Sequence, residues 1–194
     1  MVKRFINNFF FPVRLLTPQN ILHNIRLNTL ADDRVETVLP YLQGKVLDVG
    51  CGENFLIKAW GNGIGVDIYP WKGVNLICDS TTLPFHREVF DTVTFLACLN
   101  HIPNRKAALK EAYRVLKPGG KLIITMLSKK IGFICHKMIF HCDPDLRNRH
   151  KEKGEEWGLN DSEIFDLFEQ TKFNNFQTYS FGFANLNNLY LACK

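Results

Sequence analysis

The stretch Val46-Leu47-Asp48-Val49-Gly50-Cys51-Gly52-Glu53-Asn54 constrains this chain more than any other. An apolar run that stops at Gly-Cys-Gly reads as a buried parallel strand entering a tight turn, with a helix to follow. The two glycines permit a sharp bend and leave no side chain between the backbone and a ligand. The positive end of the next helix can then meet a phosphate or carboxylate on that ligand. Such a turn suits a nucleotide-like cofactor, and the rest of the chain has to say which one.

From Lys45 onward strand and helix patterns alternate. Strands are expected over Gly63–Ile68, Val74–Cys78, Phe90–Leu96 and Lys121–Leu127, with a short helix over Phe55–Trp60 and a longer one over Asn104–Leu116. The longer helix carries Ala107, Ala108, Leu109, Ala112, Val115 and Leu116 on one face and is stopped by Lys117-Pro118-Gly119-Gly120. Ahead of the first strand, residues 32–42 read as a helix capped by Asp32, with Val35, Val38, Leu39 and Leu42 inward. Past residue 127 the pattern predicts a helix over Ile131–Phe140, a charged surface run over Asp143–Gly158 and a helix over Asp161–Gln170. A strand pair over Phe176–Phe181 and Asn188–Cys193 closes the chain. Alternation of this kind implies an open parallel sheet with right-handed crossovers.

At 194 residues, 46% hydrophobic and 22% charged, the chain has the balance of a single soluble domain over 1–194. Residues 1–44 form an N-terminal helical arm, 45–127 the cofactor-binding half, and 128–194 the acceptor side with the terminal strands. Phe5–Leu16 is interrupted by two Asn, Pro12 and Arg14, too short a run for a membrane span and unlike a signal peptide, so the expected compartment is the cytoplasm. Phe5, Ile6, Phe9 and Val13 at helical spacing allow a weak membrane-surface contact, but Pro12 favours an arm packed on the domain. Six cysteines without a Cys-x-x-Cys pair read as reduced, buried thiols. A net charge of +5, biased only at the N-terminus, gives no nucleic-acid partner to expect. The oligomeric state is open.

Ligands of open parallel sheets sit at the carboxyl ends of the strands, near the switch in strand order. Here those ends present Gly50-Cys51-Gly52, Asp67 with Ile68, Asp79 with Ser80, and Ala97-Cys98. Asp67 lies 17 residues beyond Gly50, close to the spacing at which an acid accepts hydrogen bonds from ribose hydroxyls. An Asp ending a strand is by itself more often a turn former, so the ordered set carries the argument.

That set is Leu47-Asp48-Val49-Gly50-Cys51-Gly52, Gly65-Val66-Asp67, Cys78-Asp79-Ser80 with Leu83-Pro84-Phe85, Phe90-Asp91-Thr92-Val93, and Arg114-Val115-Leu116-Lys117-Pro118-Gly119-Gly120. It resembles the class I S-adenosylmethionine-dependent methyltransferases of the type 11 branch, from about Lys45 to Leu127. The resemblance implies an α/β, Rossmann-like fold with a mostly parallel seven-stranded sheet, helices on both faces and an antiparallel last strand. It also implies S-adenosyl-L-methionine as cofactor and assigns Asp48 and Gly50, Cys51 and Gly52 to its methionine part. Asp67 falls to the ribose, with Ile68 beside it, Asp79 and Ser80 to the adenine, and Ala97 and Cys98 to the sulfonium side. One position departs from the family pattern: Asn54 stands where a third glycine is usual. Asparagine tolerates left-handed angles, and its side chain can narrow the carboxylate end of the pocket.

Methyl transfer is an in-line displacement in which positioning alone is worth about 7 to 11 kcal/mol, so a dedicated base is optional. His101 is the best-placed base after the fourth strand, with His136 and His141 next; a loop-capping or cofactor-supporting role for His101 competes with catalysis. Cys135-His136 and His141-Cys142 match no common metal-ligand spacing, and no metal is expected. The reading is a methyltransferase acting on a small molecule. The alternatives are a cofactor-binding module without turnover and, with an incomplete glycine fingerprint, a nicotinamide oxidoreductase.

Overall fold

Side chains alternate across a strand, so a buried strand serves two cores, and here each core recruits its own helices. The computed structural model describes residues 9, 10, 14, 17, 21, 22, 27–127, 129, 156 and 158–194. Within them lie α1 (Leu30–Val38), β1 (Val46–Val49), α2 (Phe55–Trp60), β2 (Gly63–Asp67), β3 (Leu76–Ile77), β4 (Phe90–Leu96), α3 (Arg105–Val115), β5 (Leu116–Leu127), α4 (Asp161–Gln170), β6 (Asn174–Phe181) and β7 (Asn187–Cys193). Leu47, Val49, Leu122, Ile124 and Met126 pack with Ala108, Leu109 and Ala112 of α3 and with Ile164 and Phe168 of α4. Val46 and Ile123 point the other way, to Val35 and Val38 of α1 and Leu56 and Ile57 of α2. Helices therefore cover both faces, and each fully buried Leu, Ile or Phe contributes about 1.5–3 kcal/mol.

The seven strands lie in the order β3-β2-β1-β4-β5-β7-β6. β1 to β5 are mutually parallel, while β7 runs antiparallel to both β5 and β6. The chain leaves β1 toward β2 and β3, then returns to place β4 on the other side of β1. That reversal opens a crevice at the carboxyl ends of β1 and β4. The fold is the one that the resemblance implied.

Several boundaries differ from expectation, three of them for a visible reason. α1 begins at Leu30 because Thr29, not Asp32, is its cap: Asp32 N donates to Thr29 Oγ1 at 3.1 Å, and Thr29 N donates back to Asp32 Oδ2 at 2.7 Å. Lys117-Pro118-Gly119-Gly120 ends α3 yet belongs to β5, whose pairing with β4 jumps from Phe90↔Leu116 to Thr92↔Lys121 across an irregularity that accommodates the proline. β3 shrinks to Leu76–Ile77, since Asn75 turns its carboxamide oxygen to Gly65 N at 2.8 Å.

Of the N-terminal arm, Phe9 and Phe10 are exposed and Leu22 is buried. Arg14 is buried as well, donating to the carbonyls of Asn28 and Thr29 and pairing with Asp33 of α1. The helix expected over 131–140, with Cys135, His136, His141, Cys142 and most of the charged run, lies outside the described residues. Among the described residues no helix is long and apolar enough to cross a membrane.

Candidate functional site

The strand-to-helix turn after β1 is tied down by its neighbour: Gly50 N and Cys51 N both donate to Val66 O of β2, at 2.8 and 3.1 Å. Gly50 and Gly52 have φ of +69° and +52°, which glycine adopts without the strain a side chain would add. A Cβ on Gly50 would stand 2.6 Å from the Cβ of Cys98, so this glycine lets the ends of β1 and β4 close together. A Cβ on Gly52 would meet nothing within 4 Å. Open space over a left-handed glycine is a cradle for a ligand.

Two acids border that cradle. Asp48, second-last residue of β1, is buried and accepts a hydrogen bond from Thr94 Oγ1 of β4 at 2.6 Å. Burial pushes its carboxyl up to about 7, against the Thr94 hydrogen bond and with some repulsion from Asp67. Asp67, at the end of β2, is also buried; its Oδ2 accepts Gly52 N at 2.9 Å and its Oδ1 accepts Tyr69 N at 3.0 Å. Each oxygen keeps a further lone pair for a ligand. Among the described residues no basic side chain pairs with either acid. A buried carboxylate left without a cation is costly, so the site is built to receive positive charge.

Residues 47–124 match the family model described as "Methyltransferase domain". The matched segment is a class I methyltransferase domain of the type 11 branch. The ubiquinone/menaquinone biosynthesis C-methyltransferase UbiE of Burkholderia mallei is 34% identical over a region covering 44% of this chain and 44% of that one. The chain thus spans less than half the length of the curated relatives it matches. Among solved structures, a SAM-dependent methyltransferase of Thermotoga maritima superposes with a TM-score of 0.68 at 20% identity, covering 99% of this chain and 97% of that one. Phosphoethanolamine N-methyltransferase 2 of Haemonchus contortus, solved with S-adenosyl-L-methionine, gives 0.60 at 16% identity, covering 83% and 52%.

The cofactor of this family fits the methyltransferase domain's own residues. S-adenosylmethionine carries an ammonium, the positive charge that Asp48 otherwise lacks, and ribose hydroxyls that can donate to the remaining lone pairs of Asp67. A dinucleotide would instead bring its pyrophosphate against two buried acids. Beyond Asp67, Ile68 is 56% exposed and Ile77, in register with Asp67, is 54% exposed. Two such apolar side chains at neighbouring strand ends suit the faces of an adenine ring. Ile77 went unnoticed in the sequence, although its place just before Cys78-Asp79 was the signal for it. Asp79 accepts Thr81 N at 2.8 Å, so part of its role is the turn it starts. Ser80 follows it in the same turn.

Across the crevice, Ala97 holds φ +53°, a left-handed conformation uncommon for a residue with a side chain. Cys98 donates its thiol to Val49 O at 2.9 Å, joining the end of β4 to β1. Cys51 is held as a thiol: burial, then the charges of Asp48 and Asp67, push it up, and it packs against Gly65. Neither cysteine has the electropositive surroundings of a nucleophile.

His101 ends the short 3-10 turn Leu99–His101, half-buried, with its Nε2 3.1 Å from Asn100 Nδ2. Asn100 is itself buried and clamps residue 156, donating to Glu156 O at 3.2 Å and accepting Glu156 N at 2.9 Å. Nothing local in the sequence distinguishes Asn100 from an ordinary polar loop residue.

Asn54 adopts φ 63°, ψ 37° immediately before α2. Its side chain turns away from the cradle: Nδ2 donates to Gly73 O at 2.9 Å and to Asn75 Oδ1 at 2.8 Å. The expectation that it narrows the carboxylate end of the pocket does not hold, because the loop between β2 and β3 captures the amide.

Proposed function

We propose that this chain transfers a methyl group from S-adenosylmethionine to a small-molecule acceptor in the cytoplasm. The observation that carries the reading is the pair of buried acids, Asp48 and Asp67, on either side of the open left-handed turn at Gly50–Gly52. Asp48 would hold the ammonium, Gly50, Cys51 and Gly52 the methionine backbone, and Asp67 the ribose hydroxyls. Ile68 and Ile77 would sandwich the adenine, with Asp79 and Ser80 at its edge. When bound, the cofactor supplies an electrophilic methyl carbon on a sulfonium. Ala97 and Cys98 would then wall the reacting side of the crevice and align the acceptor in line with that carbon. His101, one turn further along, would take the acceptor's proton. Among acceptor classes, an electron-rich ring carbon draws support from the C-methyltransferase relatives.

Isothermal titration with S-adenosylmethionine, S-adenosylhomocysteine and NAD tests this reading. Binding of both sulfur cofactors and not of NAD is expected. Failure of both sinks it, while tight binding with no methyl transfer to any phenol, amine or hydroxyl panel would leave a cofactor-binding module instead.

A further inference from the structure

A second concavity lies at the opposite end of the sheet. Its volume is about 450 Å³, and its walls include Arg87 and Glu88 ahead of β4, Lys110 and Arg114 of α3, Lys172 after α4 and Lys194 after β7. β4 runs from this end toward Ala97, and seven residues of strand separate the two sites by about 20 Å.

Five of those six side chains are cationic. Glu88, the one acid, is already paired with Lys194 at 3.4 Å. Lys194 is further fixed by the Leu116 carbonyl at 2.7 Å and by the ring of Tyr113 at 4.9 Å. Arg114 has its fork occupied by Glu111 and by the carbonyls of Leu83 and Phe85, so its charge is already met and it offers no free donors. Arg87, Lys110 and Lys172 are exposed and have no acidic partner among the described residues. Three uncompensated cations around one hollow repel each other unless an anion sits between them.

The backbone carries a second, independent sign. Among the described residues three positions other than Asn and Gly have left-handed φ: Glu88 at 60°, Ala97 at 53° and Lys172 at 69°. Ala97 belongs to the cofactor crevice. The other two both line this cavity, where glycine would adopt the same angles without strain. Such conformations gather at functional sites because the surrounding structure must hold them.

We propose that this concavity binds a small phosphorylated molecule with at least two adjacent phosphate groups, separately from the methyl-transfer site. Its size falls within the range of small-molecule sites, and Arg with Lys is the usual donor set for phosphate oxygens. Arg87, Lys110 and Lys172 would close on the phosphates beside Arg114 and Lys194, whose charges are already met by Glu111 and Glu88. A hollow of about 450 Å³ matches a compact ligand rather than a flat bilayer or an extended strand of nucleic acid.

Calorimetric titration of the full chain with inorganic pyrophosphate is the test. Saturable one-to-one binding is expected, at least tenfold tighter than for orthophosphate and weakening as salt rises. The triple variant Arg87→Gln, Lys110→Gln, Lys172→Gln should bind pyrophosphate at least tenfold more weakly while keeping its affinity for S-adenosylhomocysteine within twofold. Lys172→Gly should weaken binding and raise the melting temperature, since it removes a ligand and relieves the backbone together. No saturable binding, or equal binding by the triple variant, overturns the proposal. So does displacement of pyrophosphate by single-stranded RNA or by anionic phospholipid vesicles at comparable charge concentration, which would mark a general polyanion surface.

Discussion

Thr94 donates a 2.6 Å hydrogen bond to Asp48 across neighbouring parallel strands, with both side chains buried beneath the glycine turn. The bond fixes the carboxylate's direction and favours its charged form, but it supplies no countercharge. Burial therefore still holds the Asp48 carboxyl up at about 7, well above its ordinary 3.8. The domain is built with an electrostatic debt that a cationic ligand discharges.

This debt sets a pH dependence. Between pH 3.8 and about 7 the folded protein holds a proton on Asp48 that the unfolded chain has released. The stabilisation is thus fully present below the unfolded value and is lost as pH rises through about 7, a total of about 4 kcal/mol. Asp48→Asn should remove that loss: the ligand-free variant should melt higher than wild type at pH 8 and no higher at pH 4, by scanning calorimetry. The same variant should bind S-adenosylhomocysteine at least tenfold more weakly. A variant that binds normally would show that the ammonium lies elsewhere.

Asp67 should be felt in affinity more than in folding. Asp67→Asn keeps one acceptor for Gly52 N, gives up the hydrogen bond from Tyr69 N, and loses the charge that would strengthen the proposed ribose hydrogen bonds. Charge-assisted bonds are worth about 1.5–3 kcal/mol, so a loss of about 10- to 100-fold in cofactor affinity is expected with an unchanged circular dichroism spectrum. Unchanged affinity would remove Asp67 from the site.

His101 can be separated from its structural neighbours by splitting kcat from affinity. If it takes the acceptor's proton, His101→Gln should lower kcat by about 10²–10⁴ with S-adenosylhomocysteine binding unaltered. A parallel loss of affinity would assign it to cofactor support through the Asn100 turn.

Elements of local origin were legible in the sequence. The alternation from Lys45 onward pointed to the sheet, and the glycine turn with Asp67 to the proposed cofactor end, because each depends on a few consecutive residues. Thr29 was missed as the cap of α1 since Asp32, three residues on, has the same chemistry and is its partner in the capping box. The Pro118-Gly119-Gly120 run reads as a stop for α3, yet its strand role needs β4 alongside, which no local pattern reveals. Asn100 and the cationic hollow share that difficulty: Arg87, Lys110, Lys172 and Lys194 come together only after the chain has crossed the sheet.

The Asn54 side chain and Gly65 form a pair that explains why a third glycine is dispensable in the turn. A Cβ on Gly65 would stand 2.1 Å from Asn54 Oδ1, so β2 keeps a glycine to admit the asparagine amide, which in turn braces Gly73 and Asn75. Asn54→Gly keeps the left-handed angle without strain and loses two hydrogen bonds, which should cost about 1–3 kcal/mol of stability. Because the side chain lies outside the cradle, cofactor affinity should stay within threefold of wild type. Gly65→Ala in the wild-type background should destabilise by several kcal/mol through the clash with the amide. Placed on Asn54→Gly, the same substitution meets only Cys51 Sγ, at 2.9 Å, and should cost less. A double-mutant cycle by urea denaturation measures the difference: coupling of at least 1 kcal/mol is expected, and additive effects would show that Gly65 answers to something other than Asn54.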